Sequence, residues 1–348
     1  MKKTIFLVSI LVVSLFFFGC GTKTEIPQTT TPDVTTPVQT TTEPTTTATL
    51  PATPAETEKP KGITFTEIDI QQIYSSGNNP VIQDNNILWD KTLYTIDSQE
   101  TKEAKVIYPY VIDNNKVYFL GQGGVHSLDI LTNEDKLITP TTTIVSIDAE
   151  NDNIVWTEGV KVYFYNALTQ TKTMLSEFGL NPRISGENII WVDGKDGYSF
   201  SNADLFYYNI NTSTQKKINN LKIKSADKGL DIYGENVAYT NYNPNTASND
   251  IYLVNINTEE ITPIKVDAGE QIRPDIYENL IVWEDYNVQL EDKLATSYDI
   301  PTQILIYNIN DGKTTPATTG VGAKLKPQID QNHIVWYGRS GIYLAILS

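Results

Sequence analysis

Cysteine occurs once, at Cys20, so no internal disulfide can form and no cysteine-rich zinc site can be assembled. Histidine occurs twice, at His126 and His333, neither with a Ser, Cys or acidic partner at a catalytic spacing. No Gly-x-Ser-x-Gly elbow, phosphate-binding glycine loop or His-Glu-x-x-His pair is present. On these absences the chain is not expected to be an enzyme. Basic charge is also scarce: 26 Lys and Arg stand against 42 Asp and Glu, a net charge of −16. A nucleic acid or an anionic membrane surface would require a basic patch, so neither is an expected partner. Beyond Ile63 no stretch carries the 3.6-residue apolar period of a helix.

The N-terminus has its own composition. Lys2 and Lys3 precede an apolar run from Ile5 to Phe18 that stops at Gly19-Cys20. The run is short for a membrane span. It resembles a lipoprotein signal peptide, which implies that Cys20 is lipidated and becomes the mature N-terminus. Phe17 and Phe18 depart from the usual residues before such a cysteine. Of the 40 residues 22–61, 16 are Thr and 7 are Pro. A segment of that composition cannot bury enough apolar surface to offset the entropy of ordering it. It reads as an extended stalk with a reach of about 100 Å. The expected organisation is a signal peptide over residues 1–19, a stalk over 20–61 and a folded domain over 62–348. The lipid would anchor the chain to the outer face of a membrane.

The folded part repeats one phrase. Arg273-Pro-Asp-Ile-Tyr-Glu-Asn-Leu-Ile-Val-Trp283 recurs as Asn181-Pro-Arg-Ile-Ser-Gly-Glu-Asn-Ile-Ile-Trp191 and as Lys326-Pro-Gln-Ile-Asp-Gln-Asn-His-Ile-Val-Trp336. Each copy is a short strand, a turn rich in Asp, Asn, Gly and Glu, and a second strand ending on an aromatic. Seven units align on Trp89, Tyr118, Trp156, Trp191, Tyr239, Trp283 and Trp336. A third, alternating strand follows, as in Asp250-Ile-Tyr-Leu-Val-Asn-Ile256, and a short fourth strand ends the unit. Self-similarity at this period marks a repeat architecture. Four antiparallel strands in each of seven units describe an all-β, seven-bladed β-propeller. The last unit supplies three strands, and an orphan strand at residues 64–70 is expected to complete its blade.

These units resemble the TolB-type β-propeller repeats of secreted and surface proteins, over Ile63 to Ser348. The α/β domain that precedes the propeller in TolB has no counterpart in this sequence. The resemblance implies protein interaction or surface display rather than catalysis.

In such blades the loops joining strands two and three share one face of the disc with the blade-to-blade connections. They read as long in units four, five and six, at residues 192–203, 240–249 and 284–302. Long loops on a rigid scaffold are where binding concentrates. The candidate rim comprises Asp193, Asp196, Tyr198, Phe200, Tyr242, Glu284, Asp285, Tyr286 and Tyr298, with aromatic anchors and carboxylates setting polarity. Its expected partner is an envelope or extracellular protein, or a glycan stacked on the tyrosines. No cofactor is expected. Asp193, Asp196 and Asp204 form a weak calcium candidate, because hard oxygen ligands cluster there without matching a known calcium loop. Asp90, Glu158, Asp193 and Asp285 recur just after the second-strand aromatic, which points to a structural job at the strand end. A carbohydrate-active propeller enzyme and a structural coat protein are the rival readings.

Overall fold

The computed structural model describes residues 62–194, 202–286 and 301–348. Cys20, the signal segment and the Thr/Pro-rich stretch lie outside them. The described chain forms seven separate four-stranded antiparallel sheets. Its one helical element is a single 3-10 turn, Ala226–Lys228. Each of the first six blades is a simple meander, spanning residues 81–103, 110–140, 146–176, 179–217, 230–265 and 271–316. Blade seven takes three strands from residues 324–347 and its fourth from Ile68–Tyr74.

Alternation explains the packing. Side chains of a strand point to opposite faces, so each sheet buries both faces against its two neighbours. The aromatic that closes the second strand is the wedge between blades. Trp89, Tyr118, Trp156, Trp191, Tyr239, Trp283 and Trp336 are all at most 2% exposed. In four blades it lies flat on the residue opposite in strand three. Trp156 stacks on Tyr163, Trp191 on Phe206, Tyr239 on Tyr252 and Trp336 on Tyr343, with ring centroids 5.6–5.7 Å apart. Such cross-strand aromatic pairs add about 0.5–1.5 kcal/mol beyond their buried area.

The turns behave as their residues require. Asp84, Asn114, Asn115, Asn151, Asp152, Glu278 and Gln331 all have positive φ in the first hairpins. That backbone suits Asn and Asp. Two sequence expectations shift. The closing strand runs four residues later than expected, pairing Ile68 with Leu347 and Tyr74 with Ile342. Residues 64–70 hold the stronger alternation, but Thr66 and Glu67 are used instead to bond the Ser348 carbonyl. Blade five has no long loop between its second and third strands. Asn236–Asn243 and Ser248–Asn255 are eight-residue strands paired to Asn243↔Ser248, so residues 244–247 alone make the turn. The Asp250 carboxylate accepts from Asn243 Nδ2 (2.8 Å) and Thr246 Oγ1 (3.2 Å) and holds that turn closed.

The contact of the closing strand with the last hairpin can be probed at one residue. Gly341 has φ +133°, and a Cβ there would sit 1.9 Å from the Tyr74 carbonyl oxygen. Gly341→Ala is expected to lift Ile68–Tyr74 off its neighbour. The cost of strain at such a position is about 1–3 kcal/mol. Faster proteolysis between residues 62 and 80, with a lowered melting temperature, is the expected result. An unchanged proteolytic pattern would show that this strand does not close the ring.

Candidate functional site

The first strands of all seven blades surround a cavity of about 530 Å³ on the axis. In each blade the innermost strand has one edge without a strand partner, so its N–H groups need other acceptors. Side chains of the preceding blade supply them. The Ile184 N–H donates to Asp148 Oδ2 (2.9 Å), Ile276 to Asp231 (3.0 Å), Ile329 to Asp275 (2.7 Å) and Ile82 to Gln328 Oε1 (3.3 Å). A second tier lies nearer the hairpins. There the Asp152 N–H donates to Asp113 (2.7 Å), Gly186 to Glu150 (2.6 Å), Gly234 to Ser185 Oγ (2.9 Å) and Asp84 to Asp330.

One cation stands among the upper carboxylates. Arg183 Nε is 3.6 Å from Asp231 Oδ1, and its field reaches Asp148 and Asp275 as well. Three acids thus lie near one guanidinium in the lumen. Burial pushes Asp148 up to about 7, against the pull of Arg183. Burial and the neighbouring Asp231 carry Asp275 well above the usual carboxylate range. Burial raises Asp330 to about 6 at the other end.

The end of the channel on the side of the blade-to-blade connections is cationic. Here Asn79-Pro80, Asn181-Pro182, Arg273-Pro274 and Lys326-Pro327 occupy equivalent positions, each residue before Pro with φ of 51–55°. In blades four, six and seven the pair forms a bulge, with the register shifting at Leu180/Arg183, Ile272/Asp275 and Leu325/Gln328. Arg273 Nη1 donates to both oxygens of Glu284 at 2.9 and 2.8 Å. Glu284 is fully buried. It also accepts from the Lys326 backbone N–H (2.6 Å) and the Tyr286 hydroxyl (2.9 Å). Lys326 Nζ donates to Asn79 Oδ1 and lies 5.9 Å from the centroid of the Tyr108 ring. Burial, and then the charge of Arg273, hold the Lys326 ammonium below its ordinary value.

The expected rim is rearranged by this geometry. Glu284 and Asp285 are buried, so they do not present carboxylates to solvent as the sequence suggested. Both lie on the second strand itself, and the following loop begins later than the residues implied. Tyr286 joins Glu284 rather than standing free. Asp193 accepts from Ser176 Oγ (2.6 Å), and Asp204 is held by Lys222 and by Lys217 at 3.9 Å. Tyr242 is 40% exposed on the blade-five hairpin. Asp196, Tyr198, Phe200 and Tyr298 lie outside the described residues. Among the described residues no group of three or more His, Cys, Asp or Glu could hold a metal ion. Of the acids after the second-strand aromatic, Glu158 accepts from the Thr142 hydroxyl (2.8 Å) and Asp90 from the Asn78 N–H (3.2 Å). His126 pairs with Asp135 on the outer part of blade two, with no nucleophile placed against it by these contacts.

Sequence reasoning missed Arg273, Lys326 and the channel acids. The signal was in the repeat itself. The residue between Pro and Ile varies as Asp, Arg or Gln while its neighbours stay apolar, and the residue before Pro changes from Asn to Arg or Lys.

No family model matches the chain and no curated protein resembles it. Solved structures share the fold at low identity. An oligogalacturonate lyase in complex with manganese is 11% identical, with a TM-score of 0.56 over 80% of this chain and 93% of that one. The Pyrococcus horikoshii acylaminoacyl peptidase is 11% identical, with a TM-score of 0.58 over 78% of this chain. TolB from Acinetobacter baumannii is 13% identical and superposes less closely, at 0.42 over 80% of this chain and 78% of that one. The chain spans 31% of the tricorn protease and 51% of the acylaminoacyl peptidase. Enzymes are therefore among the structures that share this propeller fold. This corrects the expectation that the protein is not an enzyme. Missing motifs excluded familiar catalytic spacings, but the architecture is one that a lyase and peptidases also use.

The lumen carboxylates carry a pH dependence with a definite sign. Asp148 is raised from 3.8 to about 7 in the folded protein. Below the ordinary carboxylate range both states hold the proton. Between about 4 and 7 the folded state binds more protons, so stability falls as pH rises and levels off once Asp148 has ionised. Asp148→Asn keeps an oxygen for the Ile184 N–H and removes the charge. Its melting temperature at pH 7.5 is expected to exceed the parent's by about 2–4 °C, with a shallower decline between pH 5 and 7.5. Parallel profiles would show that Asp148 does not govern the effect.

Proposed function

We propose that this chain is an extracytoplasmic recognition module, tethered through lipid at Cys20 and held away from the membrane by its Thr/Pro-rich segment. Its partner protein docks on the face that carries the blade-to-blade connections. One observation carries the reading. Five of these connections expose apolar side chains: Ile107, Val145, Phe178, Val266 and Val321, from 42% exposed at Phe178 to 89% at Val321. Tyr108, more than half exposed, stands beside Ile107 at the channel mouth. Single exposed apolar residues are ordinary, but a set recurring on one face of a repeat is what an interaction surface requires. The membrane tether and the extracytoplasmic location rest on the resemblance at the N-terminus.

A second reading has its own support. Asp148, Asp231 and Asp275 are carboxyls held above their usual range inside an accessible cavity, the setting of a general acid. Lyase chemistry on an oligogalacturonate, the substrate named for that structural neighbour, is one reaction it would serve. Turnover of an oligogalacturonate that disappears in Asp275→Asn would favour it. Against it, one oxygen of each acid is already engaged by the next blade.

Phe178→Asp with Val321→Asp tests the docking face. Neither side chain is buried, so melting should be unchanged. Photo-crosslinking to a partner in the envelope fraction of the host should be lost. Leu168→Asp, on a hairpin of the opposite face, should leave it intact. Equal crosslinking by all three proteins would overturn the reading.

A further inference from the structure

The docking face has a charged centre whose balance is incomplete. Arg273 and Lys326 both line the channel mouth; the Arg273 guanidinium and the Lys326 backbone N–H bind one buried acid, Glu284, whereas the Lys326 ammonium donates to the neutral Asn79 amide. Two cations against one carboxylate leave a positive charge. It is not spread over solvent: Lys326 is half-buried, its ammonium engaged by Asn79 and lying by the Tyr108 ring. Its lowered proton affinity has burial and Arg273 as its causes.

The backbone makes this placement costly. Arg273 has φ 55° and Lys326 φ 52°, a left-handed conformation that favours Gly, Asn and Asp. Blades one and four use Asn79 and Asn181 at the same place, and blade five has Gly229. The fold therefore does not require a long cation there, and strain of this kind concentrates at functional positions. Around the mouth, the large apolar side chains that the connections expose are mainly aliphatic, Ile107, Val145, Val266 and Val321 against Tyr108 and Phe178. Aliphatic surface matches protein side chains better than sugar rings, which take aromatic planes.

We propose that the channel mouth receives the carboxylate of an Asp or Glu side chain, presented by the docked partner, between Arg273 and Lys326 and beside the Tyr108 ring. The assignment rests on the docking reading and supplies its specificity. A carboxylate at this point neutralises the surplus charge and accepts hydrogen bonds from groups that are already partly desolvated. Arg273, gripped by Glu284, holds its position, and Lys326 is the group that turns toward the incoming acid.

Calorimetric titration of the full chain with a hexaglutamate peptide tests this directly, with hexaglutamine as the uncharged counterpart. Binding of hexaglutamate alone is expected, weakening as salt rises. Lys326→Met should weaken it by about tenfold or more, the loss of one charge-assisted hydrogen bond, whereas Lys326→Arg should retain it. In the unaltered chain, hexaglutamate should also slow acetylation of Lys326 relative to Lys105, a readout that needs no variant to fold. Three results would overturn the proposal: no binding of hexaglutamate, an unchanged affinity in Lys326→Met, or equal binding of a uronic acid oligomer or inorganic phosphate. If the peptide fails while crosslinking still depends on Phe178 and Val321, the carboxylate assignment falls and the docking face stands.

Discussion

A ring of separate sheets leaves seven inner strand edges facing one another across a narrow axis, and their unpaired N–H groups must be satisfied. The structure does this with side chains rather than strands. At one level Asp148, Asp231, Asp275 and Gln328 each accept an N–H of the following blade; at the next, Asp113, Glu150, Ser185 and Asp330 do the same. Each bond crosses a blade junction, so the same contacts that satisfy the edges also fix neighbouring blades in register. A typical intramolecular hydrogen bond contributes about 0.5–1.5 kcal/mol, and an unmet buried donor costs about 1–3 kcal/mol. The junctions thus depend on polar residues at two defined places in the first strand, while the aromatic wedges of the second strand fill the space further out.

That solution has an electrostatic consequence. Acceptors must be carboxylates, amides or hydroxyls, and this chain mostly uses carboxylates. They converge on the axis, where Arg183 is the cation near the upper tier. Burial then raises Asp148, Asp231 and Asp275 together. Raised carboxyls in a cavity are a setting for acid chemistry, and here the same groups also hold the blade junctions. Lys326 and Arg273 differ in that they sit where blades one, four and five have Asn or Gly.

The fold was legible because its signals are local. The Asp/Asn/Gly turns, the period-two third strand and the aromatic at the end of strand two each obey short-range rules, and seven repetitions made the pattern plain. The site was less legible for two reasons. Whether an acid after a strand points to solvent or into the neighbouring blade depends on where the strand ends. Glu284 and Asp285 lie inside the strand Leu280–Asp285 and are buried. The cations are hidden in a net charge of −16, because composition says nothing about position. Their sequence signal is a long side chain before Pro274 and Pro327, where Asn79 and Asn181 stand before Pro80 and Pro182.

The acidity of the whole domain does not conflict with a cationic centre. Charges screen one another over about 8 Å at physiological ionic strength, so a group arriving at the mouth responds to Arg273, Lys326 and Glu284 rather than to the distant surface. For the acidic partner proposed above, long-range repulsion would slow the approach, and the exposed apolar side chains of the connections would supply contact area. Area of that kind is indifferent to sequence, so the choice between partners would fall to the few desolvated polar groups at the centre. The architecture separates these tasks along one strand. Its far end and middle carry the acids that hold the ring together, and its near end, freed by a bulge before Pro274 and Pro327, turns two cations toward whatever lies on the face.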